Sequence, residues 1–442
     1  MAIENAPSQD PADLESPTLR GGLAARAAAL ALVEAALDHR GGLEEALDRA
    51  PFSDLELRDR ALARMLAMTM LRRVGAIDQM LQTRLQKPPP MAVMMLLRLG
   101  VAQALYMDTP AFAAVDTTVS LAQENEATRP FKGLINAVLR GLLREAPAEP
   151  DAESYLPGWL FSRWRAAYGA ADARAIAGMI LEEPATDLTL RDPAEAETLA
   201  AAIGATILPG GSLRVNHRGD VAAWPGYAEG RWWVQDAAAA IPARLAHLRP
   251  GETGADLCAA PGGKLFQLVA SGGIVTALDR SAARLGRVRS GLERLGLMAE
   301  VVQADAAAWP DPRRFDVVLL DAPCSATGTF RRHPDVIWGT RPPDIAKLAA
   351  VQARLLKAAA ARVAPGGRLI YCVCSLEPEE GEAQIDDFLR RHDDFRLSTI
   401  TAGEGGAPAA SVTEAGWLRI LPHHLDGGVD GFFVARLTRI RD

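Results

Sequence analysis

Nine consecutive residues, Asp256-Leu-Cys-Ala-Ala-Pro-Gly-Gly-Lys264, constrain this chain more than any other stretch. They close a strand expected over 254–258 and open a helix expected over 265–270. A glycine turn at that junction lets backbone approach a ligand where a Cβ would stand in the way. In a doubly wound sheet, such turns lie beyond the carboxyl ends of the strands, where ligands bind. The string is neither G-x-G-x-x-G nor a phosphate loop ending in G-K-[ST], so a dinucleotide or ATP is the weaker fit. A plain tight turn would not need so long a string in a β-turn-α frame.

The residues downstream extend that frame. Strands are expected over 274–279, 299–304, 315–320, 368–373 and 431–437, with helices between them, notably over 281–295 and 344–363. Strands alternating with helices build an α/β fold with a parallel, doubly wound Rossmann-like sheet over residues 236–442. Upstream the pattern changes. Residues 1–20 read as a flexible tail. Residues 21–147 read as an all-helical domain, with apolar residues at three- and four-residue steps over 24–37, 54–74, 91–107 and 131–143. Residues 148–235 read as a linker domain. It has a helix over 155–182 and then a small α+β segment: a strand over 188–191, a helix over 194–203 and a strand over 231–234. Asp236 reads as the N-cap of the next helix.

Strand ends carry the chemistry. Asp279 closes the second strand about twenty residues after the glycine turn, where a carboxylate accepts ribose hydroxyls. Asp305 closes the third, and its side chain or nearby backbone can read an adenine amino group. Acidic strand ends without phosphate signals fit S-adenosylmethionine better than a nucleotide. The fourth strand ends in Asp321-Ala-Pro-Cys-Ser325 and the fifth in Tyr371-Cys-Val-Cys-Ser375, so two cysteine turns flank one pocket. Cys372 shares pleat parity with Cys374 and reads as packing.

Two thiols beside an electrophilic methyl suit methylation of cytosine at carbon 5. Carbon 5 is a poor nucleophile until a thiolate adds at carbon 6. A free thiol has a pKa near ~8.5, so the site has to favour its thiolate. Lys264 and a helix dipole serve that need. A protonated Asp321 would donate to ring nitrogen 3 as the sulfur adds.

Whole-chain properties set the outer limits. The net charge of -7 argues mildly against nucleic-acid binding, although a basic groove can coexist with an acidic remainder. Arginines cluster at Arg280, Arg284, Arg287, Arg289 and Arg294, and at Arg331 and Arg332. With His333, the second cluster is a candidate RNA contact, the alternative being a surface loop. The only cysteines, Cys258, Cys324, Cys372 and Cys374, have neither disulfide-scaffold nor metal-site spacing. No apolar run reaches the ~20 residues of a membrane span and no secretory signal opens the chain, so a cytoplasmic protein is expected. Nothing demands an oligomer.

The strings DLCAAPGGK, DAPCSATGTFRRHPDVIW and YCVCSLEPEE resemble the RNA cytosine-C5 methyltransferases, specifically the bacterial Sun/Fmu branch that modifies small-subunit ribosomal RNA. Trp233-Val-Gln-Asp-Ala237 resembles the family's lead-in. Phe131-Lys-Gly-Leu-Ile-Asn-Ala-Val-Leu-Arg140 resembles the NusB-type RNA-binding domain of that branch. The resemblance implies S-adenosylmethionine as cofactor, held by Cys258, Ala259, Ala260, Pro261, Gly262, Gly263, Lys264, Asp279, Asp305 and Asp321. It implies RNA, small-subunit ribosomal RNA above all, as partner. Residue chemistry leaves open whether Cys324 or Cys374 attacks; the resemblance implies Cys374, with Cys324 assisting release. Val373 and Leu265 stand where the family usually has Thr, which puts one hydroxyl contact in doubt. Three readings compete: another RNA such as tRNA as substrate, a DNA cytosine methyltransferase that would leave one cysteine turn idle, and a non-catalytic RNA-binding assembly factor.

Overall fold

A computed structural model describes residues 17–38, 42–145, 148 and 150–440. The chain forms two compact units, Met1–Gly158 and Trp159–Asp442. Most of the expected tail lies outside the described residues, and residues 17–20 already belong to the first helix.

The first unit is helical: α1 (Pro17–Leu37), α2 (Gly42–Leu47), α3 (Leu57–Gln82), α4 (Met91–Tyr106), α5 (Ala111–Glu124) and α6 (Lys132–Arg144). The core is built on α3, whose Leu66, Met70, Leu71 and Ile77 are fully buried together with Ala25, Ala28, Ala29 and Leu32 of α1. Alanines on α1 keep side-chain volume low where two helices share a core. Helix α3 ends at Gln82 with Thr83 as its C-cap, Pro88-Pro-Pro90 stays non-helical, and Pro90 is the N-cap of α4. Arg98 of α4 then reaches back with two hydrogen bonds to the Asp78 carboxylate of α3, at 2.8 and 2.7 Å. At Gly100 a Cβ would lie 2.5 Å from a methyl of Leu139, so α4 and α6 meet where only glycine fits. Helix α5 has no counterpart in the sequence reading. It carries β-branched Val115, Thr117, Thr118 and Val119, and both threonine hydroxyls turn back onto the carbonyl of Ala114.

The second unit begins with α7 (Gly158–Gly178). A helix is expected over 155–182, and the observed one is kinked at Gly169, where φ is 86°. A four-stranded antiparallel sheet follows, from β1 (Thr186–Leu190), β2 (Thr206–Ile207), β3 (Leu213–Val215) and β4 (Trp232–Val234), with α8 (Ala196–Ile203). Its order is β2-β3-β1-β4. The expected break at residue 235 is not a break between units. Asp187 of β1 accepts two hydrogen bonds from Arg214 and one from the backbone of Ala237. Arg214 also donates to the carbonyls of Asp426 and Gly428, so the small sheet is bolted to the C-terminal part of the chain.

Helix α9 (Ala237–Leu245) leads into β5 (Thr253–Asp256), α10 (Gly263–Ala270), β6 (Ile274–Asp279), α11 (Ala282–Leu295), β7 (Glu300–Gln303), β8 (Phe315–Asp321), α12 (Val336–Gly339), α13 (Pro342–Ala361), β9 (Val363–Val373), α14 (Glu382–Arg391), β10 (Phe395–Leu397), β11 (Leu418–Ile420) and β12 (Phe432–Arg439). The sheet order is β10-β12-β9-β8-β5-β6-β7, with β11 on β12. Pairs from β9 to β7 are parallel, while β12 runs antiparallel to β9, β10 and β11. Val317 to Leu320 are fully buried because helices cover both faces. From β5 the chain winds through β6 and β7 in one direction, then through β8 and β9 in the other. The topological switch point therefore falls between β5 and β8, and a crevice opens beyond their carboxyl ends.

Candidate active site

The glycine turn sits at that crevice. Gly262 adopts φ 123°, and a Cβ there would lie 2.3 Å from the Phe266 ring. No other residue fits, and the turn forms a backbone cradle. It is fixed from both sides: Leu257 N donates to Leu319 O at 3.0 Å and Ala259 N donates to Leu278 O at 2.8 Å. Cys258 is half-buried, and burial followed by the nearby Asp256 pushes its thiol pKa well up. It lines the cradle as a neutral group. Ala259 and Ala260 are buried and Pro261 is exposed.

Asp279 ends β6 and is buried. Its Oδ1 accepts from Ser281 N at 2.9 Å, and its Oδ2 lies 3.5 Å from Arg284 Nη1. Asp305 is exposed beyond the end of β7 and uses Oδ1 to cap the turn at Ala307 N, 2.9 Å away. A glycine cradle with no room for a Cβ and a buried carboxylate at the end of the adjacent strand fit an adenosyl group bearing ribose hydroxyls.

Asp321 ends β8. Its Oδ2 accepts from Lys264 Nζ at 2.7 Å, and its Oδ1 accepts from Cys372 Sγ at 3.4 Å. Both oxygens accept hydrogen bonds, and Asp321 is held against Lys264. Burial opposes the charge on Lys264, but Asp321 and the thiols of Cys372 and Cys374 outweigh it and raise its pKa. Its Nζ also lies 5.1 Å from the Phe432 ring centroid.

Beneath this pair lies Asp256, which the sequence reading did not single out. It is 1% exposed, and burial, reinforced by Asp321, pushes its pKa up to about 7. Its position as the last residue of β5 was the available signal.

The two cysteine turns meet. Cys324 Sγ lies 3.5 Å from Cys374 Sγ, and both residues are half-buried. The hydrogen bond to Cys374, then burial, raises the Cys324 thiol pKa well above its ordinary value. Cys374 lies within electrostatic reach of the Lys264 ammonium and the Arg332 guanidinium. Cys372 is fully buried, and burial followed by Asp321 raises its pKa. Gly328 N closes the assembly by donating to Cys374 O at 3.0 Å.

The arginine pair requires a correction. Arg331 is only 1% exposed, and its Nη2 donates to Gly427 O at 2.8 Å. Burial also lowers its pKa. It packs inside the protein and offers nothing to an RNA phosphate. Arg332 is partly exposed but engaged: its Nε lies 3.1 Å from both oxygens of the fully buried Asp430. Asp430 N in turn donates to Asp236, the N-cap of α9, whose pKa is pushed up to about 7 by burial and then by Asp430. His333 is half-buried beside this pair. In the α11 cluster, Arg294 donates to the carbonyls of Tyr227 and Trp232, Arg284 donates to Ala260 O, and Arg280, Arg287 and Arg289 are exposed.

A doubly wound sheet with a glycine cradle and a ribose-type carboxylate at its switch point defines a nucleoside-cofactor protein, and the family match makes it an S-adenosylmethionine-dependent methyltransferase. Residues 243–438 match the family described as 16S rRNA methyltransferase RsmB/F, and residues 23–144 match the NusB family. Ribosomal RNA small subunit methyltransferase B of Pseudomonas syringae pv. tomato is 36% identical, over 94% of this chain and 97% of its own. The Salmonella paratyphi B protein of the same name is 37% identical, over 86% of this chain and 91% of its own. The chain belongs to the RsmB/F methyltransferase family. Among solved structures, PH0851 shares its fold with a TM-score of 0.75 at 23% identity, over 94% of this chain and 98% of that one. NSun6 from Pyrococcus horikoshii, solved with SFG, has a TM-score of 0.55 at 18% identity, over 65% of this chain and 99% of that one. No described helix is long and apolar enough to cross a membrane.

Proposed function

We propose that this protein methylates carbon 5 of a cytosine in small-subunit (16S) ribosomal RNA, in the cytoplasm, through a transient bond between Cys374 and carbon 6. The observation that carries this reading is the 3.5 Å approach of Cys324 and Cys374 beside the Lys264–Asp321 pair, at the same sheet end as the glycine cradle.

Each residue has its own part in the reaction. Lys264 and Arg332 are the cations within electrostatic reach of Cys374, the proposed nucleophile. The Cys374 sulfur, its proton given up to water, adds at carbon 6, and the electron pair displaced onto nitrogen 3 takes a proton from the Lys264 ammonium. Asp321 holds the Lys264 ammonium by a 2.7 Å bond, so the ammonium is the donor of that pair. S-adenosylmethionine, held by the cradle and Asp279, supplies an electrophilic sulfonium methyl to carbon 5 when bound.

Release needs a base for the carbon-5 proton. The leading cause of the raised Cys324 pKa is its hydrogen bond to Cys374. That hydrogen bond weakens once Cys374 becomes a thioether, whose sulfur is a poor acceptor and cannot carry a charge. Cys324 then gives up its own proton to water, its sulfur takes the carbon-5 proton, Cys374 leaves carbon 6 as a thiolate, and nitrogen 3 returns its proton to Lys264. The target base has to be unstacked to reach a crevice of this kind. The helical unit, matched to the NusB family, is proposed to bind RNA by shape and unpaired loops.

The test is methyl transfer from radiolabelled S-adenosylmethionine to naked 16S rRNA, assembled small subunits, tRNA and duplex DNA, with nucleoside analysis of the products. The expected product is 5-methylcytidine in 16S rRNA. Label confined to tRNA or DNA, or lying on a ribose or another base, would overturn the assignment. RNA binding without transfer would favour the assembly-factor reading.

A further inference from the structure

The polar core behind the two cysteine turns holds a carboxylate that the chemistry above does not use. Glu380 is fully buried, and among the described residues it has no ion-pair partner. A buried anion without a counter-ion persists only where hydrogen bonds saturate it. Here they do. Oε1 accepts from Ser325 N at 2.9 Å and from Gln352 Nε2 at 3.0 Å. Oε2 accepts from the hydroxyls of both Ser325 and Ser375. The backbone is tied down as well, because Tyr371 Oη donates to Glu380 O at 2.6 Å.

The donors are informative by position. Ser325 follows Cys324 and Ser375 follows Cys374, so one carboxylate grips the residue after each thiol. The two hydroxyls also lie 3.0 Å apart. Gln352 on α13 extends the grip to the first turn, donating to Pro323 O at 2.9 Å. A carboxylate suits this place because it is acceptor-only with about four lone-pair sites, whereas an amide would turn a donor toward donors.

We propose that Glu380 is a positioning residue that clamps the two cysteine turns together and thereby sets the spacing of the Cys324 and Cys374 sulfurs. The significance for turnover rests on the function proposed above, but the clamp itself is a statement about thiol geometry. The Glu380 charge also acts on Cys324, helping to keep that thiol neutral in the free enzyme.

The test uses phenylarsine oxide on the full chain. Its arsenic bonds to two neighbouring thiols, the arsenic-bound oxygen leaving as water with both thiol protons. Wild type is expected to capture the arsenical, and Cys324→Ala is expected to lose it. Glu380→Gln should weaken capture about tenfold or more, since closing the second As–S bond depends on the local concentration of the second thiol. It should also lower kcat on the order of a hundredfold, with the S-adenosylmethionine Kd unchanged. Ser375→Ala removes a single hydroxyl from the grip and should move both readouts in the same direction by less. It serves as the variant of record if Glu380→Gln does not fold. Wild-type capture and kcat in the folded variants would overturn the clamp, as would a lowered melting temperature with capture unchanged. Wild-type capture that the variants lose, in a chain that makes no 5-methylcytidine, would sink the proposed function and keep the clamp.

Discussion

The turns after β8 and β9 carry the same sequence unit, Cys followed by Ser, and end neighbouring strands, yet their cysteines keep different company. Cys374 lies within electrostatic reach of two cations, Lys264 and Arg332. Cys324 has the sulfur of Cys374 and the carboxylate of Glu380 among its neighbours, and its thiol is held neutral. Proximity at 3.5 Å makes the pair a unit, while the surrounding charge splits the roles. A thiol among cations suits attack. A thiol whose pKa depends on its partner's state suits a base that becomes available only after attack.

That contrast breaks most sharply with Cys374→Ala. It should abolish methyl transfer and leave no RNA adduct on a denaturing gel, because nucleophile and covalent bond vanish together. Cys324→Ala should behave differently. Turnover should fall by ~10²–10⁴-fold, the range for losing a proton-transfer group, while an RNA adduct accumulates and survives denaturation. If the two phenotypes are exchanged, the roles are reversed and the electrostatic contrast does not decide which thiol attacks.

A finer break uses Lys264→Met, which removes a cation from the Cys374 side. Adduct formation in a single turnover should slow by about tenfold or more, because the proposed proton donor to nitrogen 3 is gone. Resolution of the adduct, the step given to Cys324, should keep its rate. Equal slowing of both steps would mean that Lys264 serves the two thiols alike.

How much of this could be read from the sequence follows a physical line. Strand β6 falls on the expected residues 274–279, and the ends of β5, β8 and β9 fall within two residues of expectation, because buried parallel strands are dense apolar runs. Site residues at strand ends were legible for the same reason: Asp279, Asp321 and both cysteine turns mark the points where those runs stop. The first half of β9 was hidden by Pro365-Gly-Gly367, which reads as a turn. The three-residue strands β10 and β11 are too short for alternation to show, and both exist by pairing with β12. Arg331 misled because charge alone does not say which way a side chain turns, and its carbonyl partner, Gly427, lies far along the chain. Glu380 was invisible among Glu377, Glu379 and Glu380, since nothing local marks that Glu377 and Glu380 turn inward, or that only Glu380 reaches both cysteine turns.

The mildest probe lies under the Lys264–Asp321 pair and asks whether the two thiol environments share a floor. Asp256 has its pKa pushed up to about 7 in the folded protein by burial and by Asp321, against an ordinary value of 3.8. A raised folded-state value means that folding favours the neutral acid. The associated stability is fully present below the unfolded pKa, and it is lost as pH rises through the folded one. Wild type should therefore lose stability between about pH 4 and 7, this group contributing a slope approaching about 1.4 kcal/mol per pH unit that flattens above pH 7. Asp256→Asn keeps the shape and removes the titration. Its melting temperature should fall less over that window and should meet or exceed wild type at pH 8. Because Asp256 acts on Lys264 and Asp321, which belong to the Cys374 side, the variant should alter the pH dependence of adduct formation and spare adduct resolution. Parallel melting curves for variant and wild type across the window would show that Asp256 is already ionised in the fold, with Lys264 carrying both carboxylates.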